Sequence, residues 1–153
     1  MVAILRVLAI LPLAIFQAAG RLLGWSVWWL SPRFRRISRH NLATAGYEDG
    51  RILRQSVTAA GQGVMELIPV WFRPQARAAA LMRTEPSRAL IDAALAGGRG
   101  IIFVTPHLGC FEITAQWYAQ HYGAMTALFS PPKRPFVQRL VLAGRGKPTL
   151  KLA

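Results

Sequence analysis

The amino-terminal stretch from Val2 to Leu30 constrains the fold more than any other segment, because Arg6 and Arg21 are its only charged residues. The fourteen residues between them would extend roughly 21 Å as a helix, which is short of the ~30 Å hydrocarbon core of a bilayer. A helix continuing to Leu30 has the length, but it places Arg21 inside the apolar stretch at a cost of roughly 2–3 kcal/mol. The stretch predicts a membrane anchor or interfacial helix over residues 1–31.

Two other interpretations of this stretch stay open. A cleavable signal peptide needs small residues before its cleavage site, whereas QAAG offers Phe16 or Gln17 at the third position before it. A buried helix of a soluble core has a similar composition over so short a run. Trp25, Trp28 and Trp29, followed by four arginines in SPRFRRISR, favour an anchor whose basic flank faces the cytoplasm.

The charge of the chain indicates anionic partners. Nineteen lysines and arginines stand against six acidic residues, which gives a net charge of +13 over 153 residues, and 16 of the cations are arginine. Nucleic acid, an anionic lipid headgroup, a phosphorylated substrate and an acidic carrier protein would each suit this charge. No nucleic-acid module signature is present, which argues against nucleic acid as the partner. Because of its charge, a basic membrane-surface or nucleic-acid-binding protein remains the non-catalytic alternative.

Metal and nucleotide chemistry find little support. Cys110 is the only cysteine, which excludes an intrachain disulfide, and His40, His107 and His121 are widely scattered. No glycine-rich phosphate loop is recognisable. We predict neither a metal nor a nucleotide cofactor.

One long helix is predicted over residues 47–72. Its apolar residues recur at alternating spacings of four and three, and they are Leu53, Val57, Ala60, Val64 and Leu67. Gly61 and Gly63 lower the helix propensity but would permit close approach to a neighbouring helix. The dipeptide Arg73–Pro74 should end the element.

The second half of the chain predicts an α/β domain. A helix opening at Pro86 and closing at Gly97 and Gly98 precedes IIFVT (101–105), whose apolar run is typical of a buried strand. A turn through Leu108, a helix closing at Gly123, a strand at 124–129, the loop SPPKRP (130–135) and a final helix from about Phe136 follow. This order predicts neighbouring parallel strands flanked by helices in residues 32–153, after the amino-terminal membrane helix.

His107 and Glu112 in VTPHLGCFE are the candidate catalytic pair. On one helix their side chains would point about 140° apart, and on one strand they would face opposite sides. Only a strand-to-helix turn brings them together, beyond the carboxyl end of a buried strand, where α/β sheets bind ligands. A carboxylate that orients a histidine makes it a general base, here for a substrate hydroxyl. Cys110 is an alternative nucleophile, although a lone cysteine is more often a packed residue.

The block GRGIIFVTPHLGCFEITAQW resembles the His-x4-Asp/Glu block of glycerolipid-type acyltransferases. It is most similar to that of the lipid A biosynthesis lauroyl/myristoyl acyltransferases. RHNL (39–42), MELIPVWF (65–72) and FSPPKRPFVQRLVLAGRGK (129–147) occur in that family's order. Cys110 and Phe111 stand where the family often has Asn-Trp. Family members are longer, so the chain resembles an amino-terminal part of such an enzyme.

The resemblance implies transfer of a fatty acyl group from acyl carrier protein to a hydroxyl of a phosphorylated lipid A precursor at the inner membrane, without a metal. It implies that His107 is the base, that Glu112 orients it, and that Arg145 stabilises the thioester oxyanion or a substrate phosphate. Lys133 and Arg134 would contact the headgroup, or would be solvated loop charges. His40 and His121 would be structural. A glycerol-phosphate or lysophospholipid acyltransferase is the alternative within this chemistry.

Overall fold

The computed structural model describes residues 2–83, 88–107 and 109–153. Within these ranges the chain forms eight helices and one two-stranded sheet. In chain order the elements are α1 (Val2–Leu8), α2 (Leu13–Leu30), α3 (Pro32–Thr44), α4 (Gly50–Phe72), α5 (Gln75–Ala79), α6 (Arg88–Ala96), α7 (Glu112–His121), β1 (Met125–Ala127), α8 (Pro135–Arg145) and β2 (Leu150–Leu152). The predicted helix start at Pro86 and the predicted turn at Leu108 lie outside the described residues.

The two longest helices, α2 and α4, pack against each other through glycine. A Cβ added to Gly61 of α4 would overlap the carbonyl oxygen of Gly20, and one added to Gly24 would overlap that of Val57. The two backbones therefore touch directly, as in helix pairs built on small residues. The close approach expected at Gly61 is confirmed, whereas a Cβ added to Gly63 would meet open space.

The buried face of α4 differs from the predicted stripe. Val57 is 1% exposed, but Val64 is 56% exposed and Ala60 is also exposed. The cause is the glycine contact, because α2 lies directly over Gly61 and thereby sets which side of α4 faces inward. The predicted carboxyl end is confirmed, since α4 stops at Phe72.

Arginines hold the ends of the amino-terminal helices. Arg73 donates hydrogen bonds to the carbonyl oxygens of Ala9 and Leu11, both at 2.7 Å. Arg35 donates from Nη1 to two carbonyl oxygens of the last turn of α2, both at 2.8 Å. Carbonyl groups at helix carboxyl ends lack intrahelical partners and carry partial negative charge, so a cation stabilises them.

The predicted membrane segment is divided between α1 and α2. Within the described part of the chain, no single helix is both long and apolar enough to cross a bilayer. The pair α1 and α2 would suffice together by length and composition only, and the two helices are bent by 115° at the break between them. Trp28 is buried against Trp25 and Phe34, while Trp29 is exposed.

The strand predicted at 101–105 is wrong. Residues 101–106 form no regular element, and Ile102 and Val104 are 93% and 90% exposed. Phe103 alone makes an aromatic contact, with its ring 4.7 Å from that of Tyr118. A strand needs hydrogen-bonding neighbours, and no described strand pairs with this segment, so its β propensity is not realised.

The sheet joins a different pair of strands. β1 lies inside the strand predicted at 124–129, and its parallel partner is β2, with Met125 opposite Leu150 and Ala127 opposite Leu152. Helix α8 forms the crossover, as parallel neighbours require. The fold is mostly helical with one small parallel sheet, which is compatible with the predicted α/β class.

The main hydrophobic core lies at the carboxyl end of α4. Its buried members are Ala9, Val70, Trp71, Phe72 and Val141. Cys110, just before α7, and Ile113, in its first turn, pack partly buried against it. The start of α7 and the end of α8 therefore meet around Trp71.

Candidate active site

Glu112 is the first residue of α7 and lies in the core with only 9% of its surface exposed. Its Oε2 atom accepts hydrogen bonds from Trp71 Nε1 at 3.1 Å and from Arg145 Nε at 2.9 Å, and its Oε1 atom accepts one from Arg145 Nη2. A carboxylate at the first turn of a helix is also stabilised by the helix dipole. The negative charge of Glu112 is therefore paired and its side chain is fixed.

Arg145 is the last residue of α8, 33 positions after its partner. Its guanidinium group lies 5.8 Å from the centre of the Trp71 ring and 5.9 Å from that of Phe129. Trp71 comes so close to the preceding residue, Gly144, that a Cβ there would lie 2.7 Å from its ring. The absence of a side chain at Gly144 lets the indole lie beside Arg145, where it contacts both charged partners.

His107 lies outside this cluster. The residue is exposed, and its imidazole centre is 4.4 Å from that of the Phe111 ring. Among the described contacts of Glu112, none is a hydrogen bond with His107. The structure thus brings Glu112 and Arg145 together and leaves His107 on the surface, in contact with Phe111, the residue that precedes α7.

The arrangement combines a buried carboxylate–guanidinium pair with an exposed histidine five residues before the carboxylate. A family model described as bacterial lipid A biosynthesis acyltransferase matches residues 1–153. The chain belongs to this family. No curated protein and no solved structure matches it.

Family membership identifies the chain as an acyltransferase of lipid A synthesis. It confirms the resemblance found in the sequence, and it favours an acyltransferase over a non-catalytic basic protein. The acceptor class that the family name supplies is a lipid A precursor, which favours this over a lysophospholipid.

Cys110 is poorly suited to nucleophilic acyl transfer. Burial, together with the nearby carboxylates of Glu66 and Glu112, raises the pKa of its thiol to about 11. The thiolate is the reactive form of cysteine, so near neutral pH the side chain is a protonated, packed thiol. This agrees with an acyltransferase that uses the acceptor hydroxyl directly.

The other predicted polar residues lie elsewhere. Lys133 and Arg134 are exposed at the amino end of α8, roughly 16 Å along the helix from Arg145. His40 is exposed in α3, and His121 donates from Nδ1 to the carbonyl oxygen of Trp117 at 2.8 Å. Neither loop cation therefore belongs to the buried pair.

Two contributors were missed in the sequence. The sequence pattern does not assign a role to Trp71, although this aromatic residue lies in the last turn of a long apolar helix, just before Arg73–Pro74. Lys147 was likewise passed over, and its Nζ donates to the carbonyl oxygens of Trp71 at 2.7 Å and Arg73 at 2.9 Å. A glycine directly before Arg145 was the available signal that a large side chain packs there.

Metal ligation has no cluster to build on in the described parts of the chain. No three His, Cys, Asp or Glu side chains within them lie close enough to hold an ion.

Proposed function

We propose that the chain transfers a fatty acyl group from the thioester of acyl carrier protein to a hydroxyl of a lipid A precursor. The acceptor oxygen attacks the thioester carbonyl, the new C–O bond forms and the C–S bond breaks. His107 takes the hydroxyl proton and returns it to the departing thiolate. The observation that carries the proposal is the fixed, buried Glu112, placed five residues after His107 in a family of acyltransferases.

Glu112 has capacity for a further hydrogen bond. A carboxylate accepts about four hydrogen bonds, and Glu112 accepts three from Trp71 and Arg145. Oε1 accepts one of the three, so it has room for an N–H group of the His107 imidazole. In sites without ligand, catalytic hydrogen bonds are often long and tighten when substrate binds. We therefore assign the orientation of His107 to a contact that forms with the acceptor in place.

Arg145 has donors to spare for the reaction. Two of the five N–H groups of its guanidinium donate to Glu112, which leaves three for other acceptors. A thioester oxyanion that develops beside a fixed guanidinium is stabilised without rearrangement of the protein. We assign Arg145 to this oxyanion or to a substrate phosphate, with Glu112 holding it in place.

The proposed partners all carry negative charge. Acyl carrier protein is acidic, the lipid A precursor is phosphorylated and the inner leaflet is anionic, and a chain of net charge +13 is attracted to each. Lys133 and Arg134 would contact the acceptor headgroup. We place the protein at the inner membrane with its catalytic part facing the cytoplasm.

The test is an acyl-transfer assay in which acyl carrier protein carries a radiolabelled fatty acyl group and the acceptor is a lipid A precursor. We expect His107→Ala to lower the rate about 100-fold or more, since general-base catalysis contributes at least that factor. His40→Ala is the matched control, because that histidine is exposed in α3, and it should leave the rate unchanged. Transfer that survives His107→Ala would remove the histidine from the mechanism.

A second acceptor separates the two acyltransferase hypotheses. Supplied with lysophosphatidate in place of the lipid A precursor, the protein should give no labelled product. Equal or faster labelling of lysophosphatidate would instead favour the glycerolipid acyltransferase.

A further inference from the structure

A basic cleft lies between the amino-terminal helices and the α4–α5 junction, and Glu112 is not among its lining residues. It consists of two adjoining cavities of about 310 and 430 Å³ that share most of their lining. The cations that line it are Arg6, Arg73, Arg77 and Lys147. These come from three separate parts of the chain, namely α1, residues 73–77 and the segment after α8, so the fold itself concentrates the charge.

Two of these cations form the fixed wall of the cleft. Arg73 is held by the carbonyl oxygens of Ala9 and Leu11, and Lys147 by those of Trp71 and Arg73. Backbone carbonyls carry only partial charge, so both side chains keep most of their positive field.

The other two cations are available to a ligand. Arg6 and Arg77 are exposed at the rim, and neither forms a hydrogen bond or ion pair with another described residue. A guanidinium group presents a planar set of donors that matches the oxygen atoms of phosphate.

No acidic residue is found among the described residues that line the cleft. Burial lowers the pKa of Lys147, and the positive charge of Arg6 lowers it further. The second effect is a repulsion between two cations, and an anion bound between Arg6 and Lys147 would relieve it.

The remaining lining is apolar. Ile10, Leu13 and Leu81 face the first cavity, and Ile10 and Phe72 face the second. Ile10 lines both cavities and is itself 70% exposed, so its apolar side chain is accessible beside the cations. A ligand that carries both a phosphate and an acyl chain would satisfy the two kinds of surface together.

We propose that this cleft binds a phosphate group, with Arg6 and Arg77 closing on it from the rim and Arg73 and Lys147 supporting it from the wall. The apolar lining favours a phosphate carried by a lipid over free phosphate. The inference concerns binding alone and does not depend on the proposed acyl transfer.

Calorimetric titration of the full chain in a non-ionic detergent tests the cleft. Three probes are compared, namely dihexanoyl phosphatidate, dihexanoyl phosphatidylcholine and inorganic phosphate. We expect phosphatidate to bind more tightly than phosphatidylcholine, and Arg6→Gln and Arg77→Gln each to weaken it about tenfold. Arg54→Gln is the matched control, because this exposed arginine lies on α4 about 28 Å along the helix axis from Arg73.

The outcomes separate the sources of phosphate. Tighter binding of phosphatidate than of inorganic phosphate supports a lipid ligand, and equal affinities would assign the cleft to free phosphate. The proposal is overturned if neither binds, or if Arg54→Gln weakens binding as much as Arg77→Gln. Circular dichroism of each variant verifies that the fold is retained, and since Arg6 and Arg77 make no described polar contact, we expect unchanged spectra.

Discussion

The helix pair α2–α4 and the segment 101–107 both come from apolar runs, yet they end in opposite states. Gly20 and Gly61 bring the two helix backbones into direct contact. Ile102 and Val104, by contrast, lie almost fully in solvent. A helix satisfies its own backbone hydrogen bonds and needs only a surface to pack on, whereas a strand needs a neighbour before it exists.

The difference extends into the candidate active site. Glu112 lies on the packed side, where α7 has begun and Arg145 and Trp71 hold its carboxylate. His107 lies on the exposed side, at the end of the unpaired segment. The two proposed catalytic residues thus lie on opposite sides of the boundary between the two regions, and substitutions on each side test where that boundary falls.

The largest effect is expected at the helix contact. Gly61→Ala places a methyl group against the carbonyl oxygen of Gly20, and backbone cannot move aside as a side chain can. We expect a loss of roughly 3 kcal/mol or more in the free energy of unfolding, measured by urea denaturation.

Gly63→Ala is the matched control for that substitution, because a methyl group there meets open space. It should raise stability by up to about 1 kcal/mol, the helix-propensity gain of alanine over glycine. Equal losses at the two positions would show that α2 does not pack closely on α4.

Cys110 reports whether the packed region includes the residues just before α7. Its thiol pKa is raised from 9.0 to about 11, so the native thiolate fraction at pH 8 should be about 100-fold below that of the unfolded chain. Alkylation by iodoacetamide should be slower in the native protein by this factor. The native rate should keep rising with pH until about 11, whereas the rate in urea should level off near 9. Equal rates in the two states would place Cys110 in the exposed region.

The buried ion pair should contribute less than the helix contact. Glu112→Gln removes one charge and leaves the Arg145 guanidinium, about a quarter exposed, without its carboxylate. We expect a loss of about 2 kcal/mol in unfolding free energy, below the full cost of an isolated buried charge because Arg145 keeps some water.

Asp49→Asn is the control for charge removal. Asp49 pairs with Arg51 at 3.6 Å on the surface, and asparagine preserves the helix cap. Asp49→Asn should lower the free energy of unfolding by less than about 1 kcal/mol. A Glu112→Gln loss no greater than this would mean that the core pair is as weakly coupled as a surface one.

The smallest effect is expected in the exposed segment. Ile102→Thr and Val104→Thr should each change the unfolding free energy by no more than about 0.5 kcal/mol, since their side chains are already solvated. Thermal unfolding followed by circular dichroism is sufficient to measure this. A loss above about 1 kcal/mol at either position would mean that the segment is buried as a strand after all.

Local sequence determined the elements that stabilise themselves. Asp49 caps α4 and the Arg73–Pro74 pair ends it. Gly98 and Gly123 adopt positive φ after α6 and α7, where helix ends favour glycine. These signals act within a few residues, so the printed sequence is enough to find them.

Only the tertiary structure decided which distant groups meet. Arg145 was assigned to the site by resemblance, but its pairing with Glu112 depends on α8 returning beside α7, and the role of Trp71 depends on the space at Gly144. The failed strand at 101–105 and the formed pair β1–β2 differ in the same way, since one lacks a partner and the other has one. Sequence by itself determined the long helix α4, its carboxyl end and the family. Contacts between segments far apart in the chain decided the sheet, the charge pair and the basic cleft, because such contacts depend on the position of both partners at once.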